Sequence, residues 1–460
     1  MKIVEEINEH IFRDYDIRGI FEKDLTIDLA YTIGLAFGSK LKEEKKTTTV
    51  IGYDNRASSP ELFKALAHGI TETGINVINI GLVTTPMYYY ALTLYHTASG
   101  IMITGSHNPK EYNGFKISFN GIHNTYGEHI QTFKRIVLGK KYTSGKGLIT
   151  NLNIEEKYIE YILSSINLGP NKPKIVVDCG NGTASIIIEK ILKKLNIDYI
   201  PLYCVSDPNY PHHHPDPSVP KNLADLRCAV IEHDADIGFA YDGDADRIGL
   251  VDEKGNIINA DYFMIIIIRN IINQLNNKSI LYDVKCSKAL EDEIIKLGGE
   301  PICYRTGNSY LRAKIAEDNI LFGGELSGHI FFNDKFHGFD DGIYASLRMI
   351  EIFSNSNMKV SNMLAGINQY YSTEEIKINI NDNIKFSKIN EVINYCQEKK
   401  YHLLTIDGCK VLFNDGFALI RASNTGPNIT MRFEATTKER LAEIKEEFEN
   451  FMFSITKEVV

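Results

Sequence analysis

Three aspartates stand at alternate positions in Tyr241-Asp242-Gly243-Asp244-Ala245-Asp246-Arg247. On a loop bent at Gly243 their carboxylates converge on one point, which is the oxygen-rich setting that a hard cation such as Mg²⁺ requires. The run begins like an EF-hand loop, but that loop needs Gly at its sixth position and Glu at its twelfth. Counted from Asp242, the sixth position holds Arg247, and Glu253 stands where the final ligand would be sought. A solvated acidic turn is the competing reading. The apolar Ile237-Gly238-Phe239-Ala240 ahead of the loop favours a metal site, with Arg247 beside it to balance charge or hold a phosphate.

Three further runs carry polar chemistry. In Thr104-Gly105-Ser106-His107-Asn108-Pro109 an apolar strand delivers Ser106 to a tight turn beside His107, as a nucleophile or a phosphate carrier would need. The same residues also make an ordinary capped turn. The pattern is not G-x-S-x-G, which disfavours an α/β-hydrolase. In Gly323-Gly324-Glu325-Leu326-Ser327-Gly328-His329, alternate residues Glu325, Ser327 and His329 would face one side of an extended segment, an arrangement suited to a polyol. A Gly-rich turn with incidental polar residues explains it equally well. In Arg421-Ala422-Ser423-Asn424-Thr425-Gly426-Pro427, with Arg432 beyond, two guanidiniums flank hydroxyl and backbone donors, the makings of a phosphate clamp. Alternatively Arg432 pairs with Glu434 or another acid. The run Pro211-His212-His213-His214-Pro215-Asp216-Pro217 is read as an extended, exposed segment with diverging imidazoles and not as a metal site.

The elements that must position these residues are legible in outline. Apolar runs at Thr47–Arg56, Lys172–Ser185 and Asn277–Ser287 are each followed by a helical stretch, the pattern of parallel α/β units. The tail has short strand-like runs and then an amphipathic helix, which predicts a small α+β domain. Breaks are placed to give residues 1–150, 151–252, 253–366 and 367–460. The expected fold is α/β: three similar mixed α/β domains and a C-terminal α+β domain around a central cleft. The 460 residues, 43% apolar and 24% charged, suit several globular domains. A net charge of -9 excludes generic nucleic-acid binding and demands a local basic pocket for any phosphorylated substrate. The seven cysteines contain no C-x-x-C and read as scattered, reduced thiols of a cytoplasmic protein. The N-terminus lacks a signal-peptide pattern. The most apolar run, Phe263 to Ile268, stops at Arg269 and reads as a buried helix and not as a membrane span.

In this order, the serine loop, the DGDADR loop, the GELSGH loop and the RASNTGP loop resemble the alpha-D-phosphohexomutase family, in particular its bacterial phosphomannomutase/phosphoglucomutase branch. The resemblance runs from Tyr15-Asp16-Ile17-Arg18-Gly19 to Arg432-Phe433-Glu434-Ala435. It implies that Ser106 is phosphorylated in the active form and that Asp242, Asp244 and Asp246 bind Mg²⁺, with a phosphoserine oxygen completing the shell. The implied reaction interconverts hexose 1-phosphate and hexose 6-phosphate, of mannose or glucose, through a hexose 1,6-bisphosphate that also serves as activator. Lys116 matches a family residue implicated in proton transfer and, with Arg247, would lie near the transferring group, and His329 and Arg18 are further candidates for acid and base. Glu325 and Ser327 match sugar-hydroxyl readers. Arg421, Ser423, Asn424, Thr425 and Arg432 match the clamp on the non-reacting phosphate, and Tyr15 and Lys285 match other cleft contacts. A phosphorylated hexose is the implied partner, with no nucleic acid, no membrane, and a monomer or weak dimer.

Two positions depart from the family pattern. Ala245 replaces a usual Gly, which would cost about 1 kcal/mol if the backbone there has positive φ. Asn308 stands where His is frequent and cannot titrate near neutral pH. The rival readings are an amino-sugar mutase of the same family, disfavoured by Leu326, a silent sugar-phosphate-binding protein, disfavoured by the intact Ser106 and aspartates, and a metal-dependent phosphatase.

Overall fold

The computed structural model describes residues 1–423 and 426–456. The chain forms two compact units: Met1–Ala260 with Ser327–Met363, and Asp261–Leu326 with the chain from Leu364 onward.

The first unit contains two mixed sheets. One is built from β1 (Ile17–Ile20), β2 (Thr48–Tyr53), β3 (Asn76–Leu82), β4 (Gly100–Ile103), β5 (Tyr112–Asn120), β6 (His123–Asn124) and β7 (Ile149–Asn151), in the order β1-β5-β4-β2-β3-β7 with β6 on β5. β4, β2, β3 and β7 are parallel, whereas β5 runs antiparallel between β4 and β1. The second sheet orders β12 (Ile257–Ile258), β11 (Ile248–Asp252), β10 (Ile237–Tyr241), β8 (Lys174–Asp178) and β9 (Asp198–Leu202). Strands β10, β8 and β9 are parallel, and β11 runs antiparallel to β10. Val50 and Ile51 of β2, Ile175–Val177 of β8 and all of β10 are buried, as strands covered on both faces require. The helix Ser59–Glu72 follows β2, with Pro60 in its first turn, where a missing N–H removes no helical bond.

The segment Ser327–Met363 completes this unit. Its helix Gly342–Ser354 packs on β10 and β11 and is capped by Asp341, which accepts from Tyr344 N at 2.9 Å. Tyr158 Oη also donates to Asp341 at 2.5 Å, and Tyr241 Oη donates to Ser346 at 2.8 Å.

In the second unit β13 (Ser279–Asp283) lies between β14 (Glu300–Tyr304) and β15 (Phe322–Gly324), all parallel. The predicted helix at the apolar run is Ala260–Ile271, with Phe263 through Ile268 buried. An antiparallel sheet follows. Its meander runs through His402–Leu404, Cys409–Phe413, Gly416–Ala422 and Asn428–Ala435, and both Tyr371–Ser372 and Ile376–Asn379 pair with the last of these. Val392 and Cys396 from the helix Lys385–Glu398, and Ile444, Phe448 and Met452 from the helix Lys438–Thr456, share one apolar core with this sheet. The expected terminal α+β domain is therefore present. Among the described residues no helix is long and apolar enough to cross a membrane.

Candidate active site

Three loops of the first unit leave the carboxyl ends of parallel strands, the edge at which α/β sheets bind ligands. They are Asp54–Arg56 after β2, Thr104–Pro109 after β4 and Asp242–Arg247 after β10. Asp54 N donates to Ile103 O at 2.9 Å, which ties the first two together.

Arg56 organises the serine loop. Its guanidinium is buried and donates to four carbonyls: Ser106 at 2.9 Å, Asn108 at 2.7 Å, Pro109 at 2.6 Å and Tyr112 at 2.8 Å. Asp54 accepts from Arg56 Nε at 3.2 Å and from Gly105 N at 3.1 Å. A Cβ at position 105 would fall 2.4 Å from the guanidinium carbon, so only glycine fits. Held this way, Ser106 takes φ +49°, a left-handed conformation that a non-glycine residue adopts only when its surroundings impose it.

The metal-loop candidates meet this serine. Ser106 Oγ donates to Asp242 Oδ2 at 3.1 Å, and a Cβ at Gly243 would lie 2.5 Å from Ser106 O. Asp242, Asp244 and Asp246 are all fully buried, and one oxygen from each lies within 4.8 Å of the others. Lys116, projecting from β5, donates to Asp244 at 2.8 Å and to Asp246 at 2.5 Å. Thr85 and Thr104 hydroxyls donate to the same Asp244 oxygen at 2.6 and 3.2 Å. Asp244 Oδ1 and Asp246 Oδ1 are buried without a hydrogen-bond donor. Burial and the charges of Asp246 and Asp244 push the Asp242 carboxyl well above its usual range. Burial also opposes charge on Asp244, but Lys116 outweighs it and holds that carboxyl below its usual range. Two orphaned carboxylate oxygens beside a third carboxylate of raised pKa make a donor set that fits a hard divalent cation.

Positive groups surround the cluster. Burial disfavours the Lys116 ammonium, yet Asp244 and Asp246 prevail and raise its pKa well above the usual value. Arg247 N donates to Asp242 Oδ1 at 3.1 Å, and Arg247 Nε donates to His329 Nε2 at 2.9 Å. A guanidinium can only donate, so His329 Nε2 carries a lone pair. The other ring nitrogen then lies 2.7 Å from Asp340 Oδ2. Arg18 reaches Asn108 Oδ1 at 2.7 Å, Gly105 O at 3.2 Å and Asp16 at 2.5 Å. His107, beside the serine, is pushed well below its ordinary pKa by burial and then by Arg247 and Arg18.

The structure therefore brings together Ser106, Lys116, Asp242, Asp244, Asp246, Arg247, His329 and Arg18. Tyr15 lies half-buried just before β1. Ala245 has φ +63°, the conformation in which the absent glycine would have been favoured. Arg56, Asp54, Thr85 and Asp340 were not singled out from the sequence. The one local signal was Asp54-Asn55-Arg56 directly after an apolar strand, the same position that the serine and metal loops occupy on their strands.

The GELSGH segment differs from its sequence reading. β15 ends at Gly324, and a turn over Leu326–Gly328, with Gly328 at φ +95°, replaces the extended run, so the expected alternation is lost. Ser327 and His329 belong to the first unit and Glu325 to the second. The histidine run is less exposed than expected, with Pro215 and Pro217 buried, while its imidazoles diverge as expected: His212 stacks on Tyr203, His213 meets Asp178 at 2.9 Å, and His214 meets the His107 carbonyl.

In the second unit Glu325 accepts from Gly307 N at 2.5 Å. Lys285 lies 3.4 Å from Glu375 and 3.8 Å from Asp283. Burial works against its charge, but these acids raise its pKa. Arg421 is forked onto Asp407 at 2.9 and 3.3 Å, and Arg432 donates to Lys285 O and not to Glu434. Ser423 O accepts from Lys385 Nζ at 2.6 Å, and Ser423 Oγ accepts from Gly426 N at 3.1 Å. Asn308 opens the helix Asn308–Asp318 and is buried. Asn424 and Thr425 lie outside the described residues. Asp407 and Lys385 had no signal in the sequence.

Four phosphoglucomutase/phosphomannomutase models match in order: alpha/beta/alpha domain I over residues 9–139, domain II over 156–255, domain III over 259–370 and the C-terminal domain over 375–451. A phosphomannomutase/phosphoglucomutase of Pseudomonas aeruginosa is 40% identical over 441 residues, covering 96% of this chain and 95% of that one. A phosphoglucomutase of Neisseria meningitidis is 41% identical over 450 residues, with 96% of each covered. The crystal structure of a phosphoglucomutase/phosphomannomutase family protein from Burkholderia thailandensis superposes with a TM-score of 0.91 at 36% identity, covering 98% of both chains. The ordered match of all four domains and the relatives aligned along nearly their whole length lead to one conclusion: the chain belongs to the phosphoglucomutase/phosphomannomutase family.

Proposed function

We propose that the protein interconverts hexose 1-phosphate and hexose 6-phosphate, of mannose, glucose or both, by way of a phosphorylated Ser106. The observation that carries this reading is the buried cluster in which Ser106 Oγ lies 3.1 Å from Asp242 while Lys116 bridges Asp244 and Asp246. Family membership supplies the reaction class.

In the forward half-reaction the phosphoserine P–Oγ bond breaks and a P–O bond forms to the free sugar hydroxyl, whose proton passes to a base. The product is a hexose 1,6-bisphosphate. In the second half-reaction its other phosphoryl group returns to Ser106 Oγ, and the departing sugar oxygen is protonated. Such transfers depend chiefly on alignment and charge stabilisation. Arg18 and Arg247 supply fixed positive charge against the phosphoryl oxygens, and Lys116 and His329 are the proton-carrying side chains of the cluster. Asp242, Asp244, Asp246 and a Ser106 phosphate oxygen would hold Mg²⁺, which when bound neutralises charge beside the serine oxygen. Glu325 and Ser327 read sugar hydroxyls. Arg421, Ser423, Asn424, Thr425 and Arg432 hold the non-reacting phosphate, with Lys285 and Tyr15 as further contacts. Hexose 1,6-bisphosphate serves as activator by phosphorylating Ser106.

We assign residues 1–150, 151–252, 253–366 and 367–460 to the four domains, and a cytoplasmic monomer or weak dimer as the working form. The test is a coupled assay with mannose 1-phosphate and glucose 1-phosphate in Mg²⁺ and trace bisphosphate, alongside intact-mass analysis. Turnover of either sugar with one phosphate on Ser106 is expected. Faster turnover of glucosamine phosphate, or rapid release of inorganic phosphate, would overturn the reading.

A further inference from the structure

Cys179 and Cys204 are 25 positions apart in sequence, yet their sulfurs lie 2.8 Å apart. The fold explains the approach. β8 and β9 are parallel neighbours with Asp178 opposite Leu202, and Cys179 N continues the ladder by donating to Leu202 O at 3.1 Å. Each cysteine thus stands just past the end of its strand. The register sets Cys179 beside Tyr203, one residue before Cys204, and the sulfurs need close by less than about 1 Å to reach the S–S bond length of about 2.05 Å. Tyr203, Gly180 and Asn181 all have positive φ, so both chains turn sharply there and bring the two thiols face to face.

We infer that Cys179 and Cys204 are a reversible thiol–disulfide site, oxidised by a small-molecule disulfide of the glutathione class. Access sets the order of events. Cys179 is fully buried, whereas Cys204 is partly open to solvent. The Cys204 thiolate attacks the disulfide RS–SR, the S–S bond breaks, and one RS⁻ leaves and takes up a proton. Cys179 then loses its proton and attacks the Cys204 sulfur of the mixed disulfide, expelling a second RSH. Two protein thiols are oxidised and one RS–SR is reduced to two RSH.

The site adjoins the catalytic loop. The turn that begins at Cys179 carries Thr183, whose N–H and hydroxyl both donate to Gly243 O, at 2.9 and 3.1 Å. Asn55 Nδ2, in the loop after β2, reaches Asn181 O at 2.7 Å and Ser206 Oγ at 2.9 Å, one contact on each of the two turns that hold the cysteines. A covalent link between these turns would therefore brace the support of the Asp242–Asp246 loop.

The test uses the full chain with exposed Cys228 replaced (Cys228→Ser), so that simple surface adducts are removed. After incubation with oxidised glutathione and alkylation under non-reducing conditions, two of the remaining thiols should disappear. Peptide mapping should return a 179–204 cross-linked peptide about 2 Da lighter than its reduced parts. Dithiothreitol should restore both thiols, and a further Cys179→Ser exchange should convert the bridge into a stable glutathione adduct on Cys204. Cys179 and Cys204 both remaining alkylatable, or the bridge mapping to Cys396 and Cys409 instead, would overturn the proposal.

Discussion

The carboxylate cluster of the first unit and the arginine loop of the second are both assembled from charged side chains, but in different ways. Asp242, Asp244 and Asp246 are fully buried and pinned by Lys116, two threonines and Arg247. Among the described residues Arg421 hydrogen-bonds to Asp407, through a fork whose geometry a phosphate also accepts. The first arrangement is closed by several partners at once, the second by a two-member ion pair. Under the proposed function the first holds the reacting groups, and the second would give up its carboxylate for a substrate phosphate.

The comparison breaks most severely at the serine. Ser106→Ala should lower kcat by on the order of 10⁴-fold while the far-ultraviolet spectrum stays unchanged. Wild-type turnover would remove Ser106 from the reaction. Arg56→Lys keeps the charge but loses the fork on four carbonyls, and kcat should fall about 10²-fold through misplacement of the serine loop. Unaltered kcat with a raised KM would show that Arg56 does not position Ser106. For Arg421→Ala the opposite split is expected: KM for the phosphosugar rises about tenfold or more and kcat changes little.

Two smaller effects concern the scaffold. Burial opposes the charge on His213, but the Asp178 carboxylate wins and raises its pKa above 6.5, with Asp225 adding to the effect. A raised folded-state pKa gives stability that is fully present below the unfolded value and is lost as pH rises through the folded one. The Tm gap between wild type and His213→Gln should therefore be wider at pH 5.5 than at pH 8.5, by about 2 °C. An equal gap at both values would show that the contact is not charge-dependent. Last, Ala245→Gly relieves φ +63° and should stabilise the protein by about 0.5–1 kcal/mol, measured by denaturant unfolding.

What the sequence revealed follows from how local each feature is. The aspartate ladder, Ser106 and the Arg421 loop were legible because one short run carries both the side chains and the turn residues. The three parallel units were legible from apolar runs followed by helical periodicity. Arg56, Asp340 and Asp407 were not, because each acts on a group outside its own short run: Arg56 serves carbonyls 50 to 56 residues on, Asp340 meets His329 and Asp407 meets Arg421. Glu325, Ser327 and His329 suggested an alternating strand, but a turn with Gly328 at positive φ defeats the two-residue period. The cysteines looked scattered because strand adjacency, and not spacing, brings Cys179 to Cys204. β5 was also missed as the antiparallel member beside β4, and Lys116 stands on it.

His329 reaches Arg247 only because the chain leaves the first unit at residue 261 and returns at residue 327. A gene encoding the first 260 residues would hold Ser106 and the three loop aspartates Asp242, Asp244 and Asp246 yet leave out the imidazole and Asp340. Recombination that exchanged whole segments at that boundary would carry His329 away with sequence selected for something else. The interrupted path therefore makes the completeness of this cluster depend on the chain on both sides of the inserted stretch 261–326.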